Sequence, residues 1–157
     1  MRVALGADHA GYLLKESLKG LLTQKGLTYQ DLGCNSTSEE SDYPDFAQAV
    51  AWAVARGEAD CGIIICGTGI GSCIAANKVP GIRASLCHET FSAIATRAHN
   101  DSNILCLGAR VIGEGLAHQV VAAWLDTEFS GDERHRRRLA KIASLEVEVC
   151  RSRQDPN

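Results

Sequence analysis

The chain has 157 residues, 45% hydrophobic and 22% charged, with a formal net charge of −3. That length fits one domain with its own core. The composition argues against global disorder or fibrous structure. The small charge gives no reason to expect nucleic acid, and the apolar runs are too short to cross a bilayer.

Arg2–Ala7 predicts a first strand. Met1 leads straight into it, with no basic segment and long apolar stretch, so no secretory signal is expected. Leu13–Lys25 places Leu14, Leu18, Leu21 and Leu22 at helical spacing, and Gly26 suits the stop. Thr28–Leu32 predicts a second strand and Ser36–Asp42 a polar loop. Pro44 opens a helix whose face is Phe46, Val50 and Val54, closed by Arg56-Gly57. Within Ala59–Cys66, the run Cys61–Cys66 predicts a strand buried on both faces. A glycine turn at Gly67–Gly71 and a short helix at Ser72–Asn77 follow. Further expectations are a strand at Ile82–Cys87, a helix at Glu89–Ala98, a strand at Asn103–Leu107 and a helix at Gly113–Leu125. The last helix spans Asp132 to about Val149, with Leu139, Ile142, Leu145 and Val149 on one side. Residues 1–149 form the expected domain and 150–157 a polar tail. Alternating strands and helices predict an α/β fold with a parallel sheet covered on both faces.

The seven cysteines include no Cys-x-x-Cys pair, so zinc-ribbon and thioredoxin motifs are absent. An odd count without a secretory signal fits reduced thiols in the cytoplasm. Cys61, Cys87 and Cys106 read as core hydrophobes.

Ligands of such sheets sit at the carboxyl ends of strands. Asp8-His9-Ala10-Gly11, Cys66–Gly71, His99-Asn100-Asp101 and Gly108-Ala109-Arg110 are read as gathering on that one edge. The Gly-x-Gly-x-Gly loop leads from a buried strand into a helix and can turn its N–H groups toward an anion. It lacks the Lys of a Walker A loop, the spacing of a dinucleotide fingerprint and the Arg of a P-loop phosphatase. Cys66 begins this loop, where a helix start favours the thiolate. A thiolate beside oxyanion donors suits proton abstraction next to a carbonyl, with about 3–4 kcal/mol available per donor. A bare strand–helix turn and a core thiol are the bland alternatives. Arg134 and Arg138 share one helix face and could clamp a phosphate; a solvated basic face is the alternative.

These segments resemble the RpiB/LacAB family of sugar-phosphate isomerases, in its ribose-5-phosphate isomerase B branch. The matching stretches also include Asp42-Tyr43-Pro44, Gly62–Gly71, Ile74–Lys78, Gly81–Ala84 and Leu107–Arg110. They run in order through nearly the whole chain. The resemblance implies a Rossmann-like three-layer sandwich with a five-stranded parallel sheet. It implies a homodimer, with a tetramer as the alternative, and sites shared between subunits. The substrate would be a phosphorylated sugar, with no metal and no cofactor. Cys66 would take the carbon proton, His99 open the ring and Thr68 assist proton movement. Gly67, Thr68, Gly69, Ile70 and Gly71 would form the anion hole. Asp8, Tyr43 and Asn100 would hold sugar hydroxyls. His9, Arg134 and Arg138 would bind phosphate, with Arg110 nearby. Some relatives replace the cysteine and carry a glutamate where this chain has Ser72; Cys73 is a further departure. Hexose 6-phosphates are rival substrates. A non-catalytic sugar-phosphate module or a thiol redox protein would be a different class; Cys66→Ala should spare ligand binding while abolishing turnover by an enzyme.

Overall fold

A computed structural model describes residues 1–38 and 40–154, with side chains described to residue 148. The first strand, β1 (Arg2–Ala7), is followed by α1 (Tyr12–Gln24), β2 (Thr28–Asp31) and α2 (Tyr43–Ala55). The central strand β3 (Cys61–Cys66) leads to α3 (Ile70–Ala76). Then come β4 (Ala84–Leu86), α4 (Thr90–Asn100), β5 (Ile104–Gly108), α5 (Glu114–Leu125) and α6 (Glu133–Gln154).

The five strands form one parallel sheet in the order β2-β1-β3-β5-β4. Its two faces carry separate cores, because successive strand side chains point to opposite sides. Val3, Leu5, Ile63 and Ile65 pack with Leu14, Leu18 and Trp124 on the face of α1 and α5. Ala4, Ile64 and Ile104 pack with Val50, Ala51 and Ala76 on the face of α2 and α3. All six residues of β3 are buried, as its unbroken apolar run predicts. Cys61, Cys87 and Cys106 lie in these cores at 4% exposure or less. Burial pushes the thiols of Cys61 and Cys87 up to about 11.

Several boundaries differ from expectation; β4, for one, is trimmed to Ala84–Leu86 from the expected Ile82–Cys87. The helix after the glycine turn begins at Ile70, because Gly69 reverses the chain at φ +75° and caps it directly. The helix after β4 continues through His99 and Asn100, and only Asp101, at φ 46°, breaks it. The last helix runs to Gln154, past the expected end at Val149. The rest of the expected tail, 155–157, lies outside the described residues. Among the described residues no helix is long and apolar enough to cross a membrane.

The sheet order sets the place of the site. From β1 the chain turns one way to β2 and the other way to β3. That reversal opens a crevice at the carboxyl ends of β1 and β3. Asp8 and His9 follow one of these strands, and Cys66 ends the other.

Candidate active site

Cys66 is the last residue of β3 and is 4% exposed. The neighbouring strand holds it: Cys66 is in register with Gly108, and Ala109 N–H donates to the Cys66 carbonyl at 2.9 Å. Its Sγ accepts the Gly69 N–H at 3.1 Å. Gly69 then turns the chain into α3 in the left-handed conformation, and a methyl built there would lie 2.5 Å from Leu86 Cδ1. The helix α3 is only seven residues long, so the Gly69 N–H, and not a long helix dipole, is the polar group the fold sets against this sulfur.

Around Cys66 lies a cavity of about 230 Å³ lined by Asp8, His9, Tyr43, Gly67, Thr68, Gly71 and Arg110. Asp8 is 6% exposed, and its Oδ1 accepts the Gly11 N–H at 3.0 Å. Arg110 N–H donates to the Gly67 carbonyl at 2.9 Å, and the guanidinium lies along Gly67. Tyr43 lies over Gly71 so closely that a methyl there would be 2.8 Å from Oη. Two loop amides are already engaged: Gly69 N–H with the sulfur and Ile70 N–H with Thr68 Oγ1 at 3.3 Å. Ile70 itself is 53% exposed and does not line the cavity.

Four expected site residues lie elsewhere. In a parallel sheet the helix α4 returns the chain from the carboxyl end of β4 to the amino end of β5. His99 and Asn100, in its last turn, therefore sit at the amino edge. Arg83, just before β4, donates from Nε to the Asn100 carbonyl at 3.2 Å. The rings of His99 and His135 stand 4.5 Å apart, which brings the start of α6 to the same edge. Arg134 and Arg138 belong to that start. The single-edge expectation is thus corrected. Roughly 15 Å of strand, at about 3.3 Å per residue, separates the two groups within one chain.

The structure adds residues that sequence reasoning missed. His135 is 3% exposed and its Nδ1 is 2.9 Å from Ser130 Oγ. Burial, then Arg134 and His99, hold its ring below the usual imidazole range. Ser41 bonds twice to His9. Lys15 is fully buried, with Nζ 2.6 Å from Asp31 Oδ2 and 2.9 Å from the Cys34 carbonyl. The Cys73 thiol is lowered to about 7, chiefly by the hydrogen bond from the Cys106 thiol, against the opposing effect of burial. Ser72 Oγ and His88 Nε2 are buried without a hydrogen-bond partner among the described residues. Among those residues no three His, Cys, Asp or Glu side chains converge to hold a metal ion.

Known proteins match this arrangement over nearly its whole length. Residues 3–142 fit the family model described as Ribose/Galactose Isomerase. Ribose-5-phosphate isomerase B of Escherichia coli is 48% identical over 92% of this chain and 96% of its own. D-erythrulose-4-phosphate isomerase of Pectobacterium atrosepticum is 49% identical over 83% of this chain and 86% of its own. The solved ribose-5-phosphate isomerase B of Clostridium thermocellum superposes with a TM-score of 0.92 at 48% identity, covering 95% of this chain and 99% of that one. Such agreement in sequence and backbone extends well beyond the glycine loop, and the chain belongs to the Ribose/Galactose Isomerase family.

Proposed function

We propose that the chain interconverts D-ribose 5-phosphate and D-ribulose 5-phosphate through an enediolate. The observation that carries this reading is the Cys66 sulfur held at 3.1 Å by Gly69 N–H, in one cavity with Asp8, His9 and Arg110. The thiolate takes the proton from C2 of the open-chain aldose. The electron pair moves to the C1–C2 bond and the carbonyl pair to oxygen, where the remaining amides of the glycine loop meet the charge. Return of the proton to C1 gives the ketose, and Thr68 moves a proton between the two oxygens. Asp8 and Tyr43 hold sugar hydroxyls, while His9 and Arg110 face the phosphate.

Each site is built by two copies of the chain. His99 opens the ring, Asn100 holds a hydroxyl, and Arg134 and Arg138 clamp the phosphate, all from the second copy. This follows from needing both groups at one substrate when one chain holds them on opposite sheet edges. The cavity of about 230 Å³ is also smaller than ordinary ligand sites, consistent with half of a shared one. Exposed Ile70, Ile74 and Phe91 offer apolar surface for the pairing. The free thiols among the described residues suit a reducing cytoplasm.

A second reading concerns substrate length alone: the 49%-identical relative named for D-erythrulose 4-phosphate favours a four-carbon substrate on the same machinery. Parallel assays with ribose 5-phosphate, erythrulose 4-phosphate and allose 6-phosphate, in EDTA, decide between them. The highest kcat/KM should fall to ribose 5-phosphate and vanish in Cys66→Ala. A preference for another sugar would move the substrate, and no turnover of any would reject the isomerase reading.

A further inference from the structure

Phosphate recognition by His9 requires an N–H on the ring nitrogen that faces the ligand, and something must decide which nitrogen carries it. A neutral imidazole has one donor and one acceptor nitrogen. Here Ser41 N–H donates to His9 Nδ1 at 3.2 Å, so Nδ1 is the acceptor and the proton resides on Nε2. The bond is reciprocated: His9 N–H donates to Ser41 Oγ at 3.1 Å. Residues 32 apart in sequence are therefore joined by two bonds of opposite sense.

The clasp has a fixed foundation. Lys15 Nζ holds the Cys34 carbonyl and Cys34 N–H donates to the Ala7 carbonyl, both at 2.9 Å, which anchors the near end of the polar loop to β1. At the far end, Asp42 precedes α2 and Tyr43 begins it. Ser41 thus lies one residue from Asp42 and two from Tyr43, the residue that covers Gly71. His9 lines both the Cys66 cavity and a second hollow of about 510 Å³, which Glu40, Ser41, Asp42, Asp45 and Phe46 also line.

We propose that Ser41 is a positioning residue for the substrate phosphate: its backbone N–H and hydroxyl fix the tautomer and orientation of His9 and present Nε2–H to the phosphate. The proposal rests on the isomerase reading for the identity of the ligand, but the clasp itself can be read without it. Ser41 reaches the substrate only through His9, so its loss should weaken binding more than chemistry.

Two measurements test this. Long-range ¹H–¹⁵N NMR at alkaline pH, with His9 assigned by comparison with His9→Gln, should find the proton on Nε2. Ser41→Pro, which removes the N–H, should shift the ring toward the other tautomer. In steady-state assays with ribose 5-phosphate, Ser41→Ala should raise KM about two- to tenfold with kcat nearly unchanged, and Ser41→Thr should restore the wild-type value. A wild-type ring protonated on Nδ1, or Ser41→Ala with an unchanged KM, would overturn the proposal in an active enzyme. A wild-type chain with the expected tautomer but no turnover would instead overturn the isomerase reading, and the phosphate role of the clasp with it.

Discussion

The rings of His99 and His135 meet tilted at 44°, with centroids 4.5 Å apart, on the amino edge of the sheet, while Cys66 lies at its carboxyl edge. On the proposed mechanism, the ring-opening residue and the carbon base therefore need two copies of the chain to meet. Mixing inactive Cys66→Ala and His99→Asn subunits should restore about a quarter of the wild-type sites, since half of randomly formed dimers are mixed and each holds one intact site. Activity measured after unfolding and co-refolding the mixture checks this. Mixed dimers without activity would place both residues in one site of one chain.

The same pair predicts a pH dependence of stability. The folded-state value of His135 is lowered by burial and by Arg134 and His99, with Asp132 opposing and Arg138 adding to the effect. The unfolded chain takes up the proton first as pH falls below about 6.5. The stability due to the neutral ring is therefore complete above that pH and is lost as pH falls through the folded-state value. Urea midpoints between pH 8 and 5 should decline on the acid side, and His135→Gln should flatten that part of the decline.

Lys15 provides a stability test away from the chemistry. Burial pushes the Asp31 carboxyl up, but bonds from Lys15, Lys19 and Gly33 N–H outweigh it and hold the group below its ordinary range. Lys15→Ala should cost about 2–3 kcal/mol in urea denaturation, at or below the low end for a broken buried pair, because Asp31 keeps Lys19 at 2.6 Å. An unchanged midpoint would mean that Lys15 contributes nothing net.

Much of the site can be read from the sequence because its parts are contiguous. Cys66 and the glycines follow the most apolar run in the chain, so strand, turn and thiol announce one another. The amino-edge location of His99 was also available: a helix between parallel strands must end where the next strand begins. Residues that follow a helix and residues that follow a strand lie on opposite edges, which is why the single-edge expectation fails at His99. Ser41 gave no such signal, since its pairing with His9 spans a polar loop without periodicity. Lys15 was hidden for another reason. It lies three residues before Leu18 and seven before Leu22, on the apolar face, and a charge there is explained only by the distant partners Asp31 and the Cys34 carbonyl.

Gly71→Ala should act through Tyr43. The added methyl would lie 2.5 Å from Tyr43 Cζ, so the ring must move out of the cavity wall. A displacement of about 1 Å at a positioning group can cost up to about 100-fold, and kcat/KM should fall about 10- to 100-fold with the circular dichroism spectrum unchanged. Wild-type kinetics would show that Tyr43 does not position the sugar.

Proton abstraction by Cys66 is tested most directly by following ribose 5-phosphate by NMR in D₂O with the wild type and with Cys66→Ala. The account predicts deuterium at the carbon of product or recovered substrate with the wild type, and neither isomerisation nor exchange with the variant, which should still bind the sugar phosphate. Wild-type turnover rates in Cys66→Ala would contradict it.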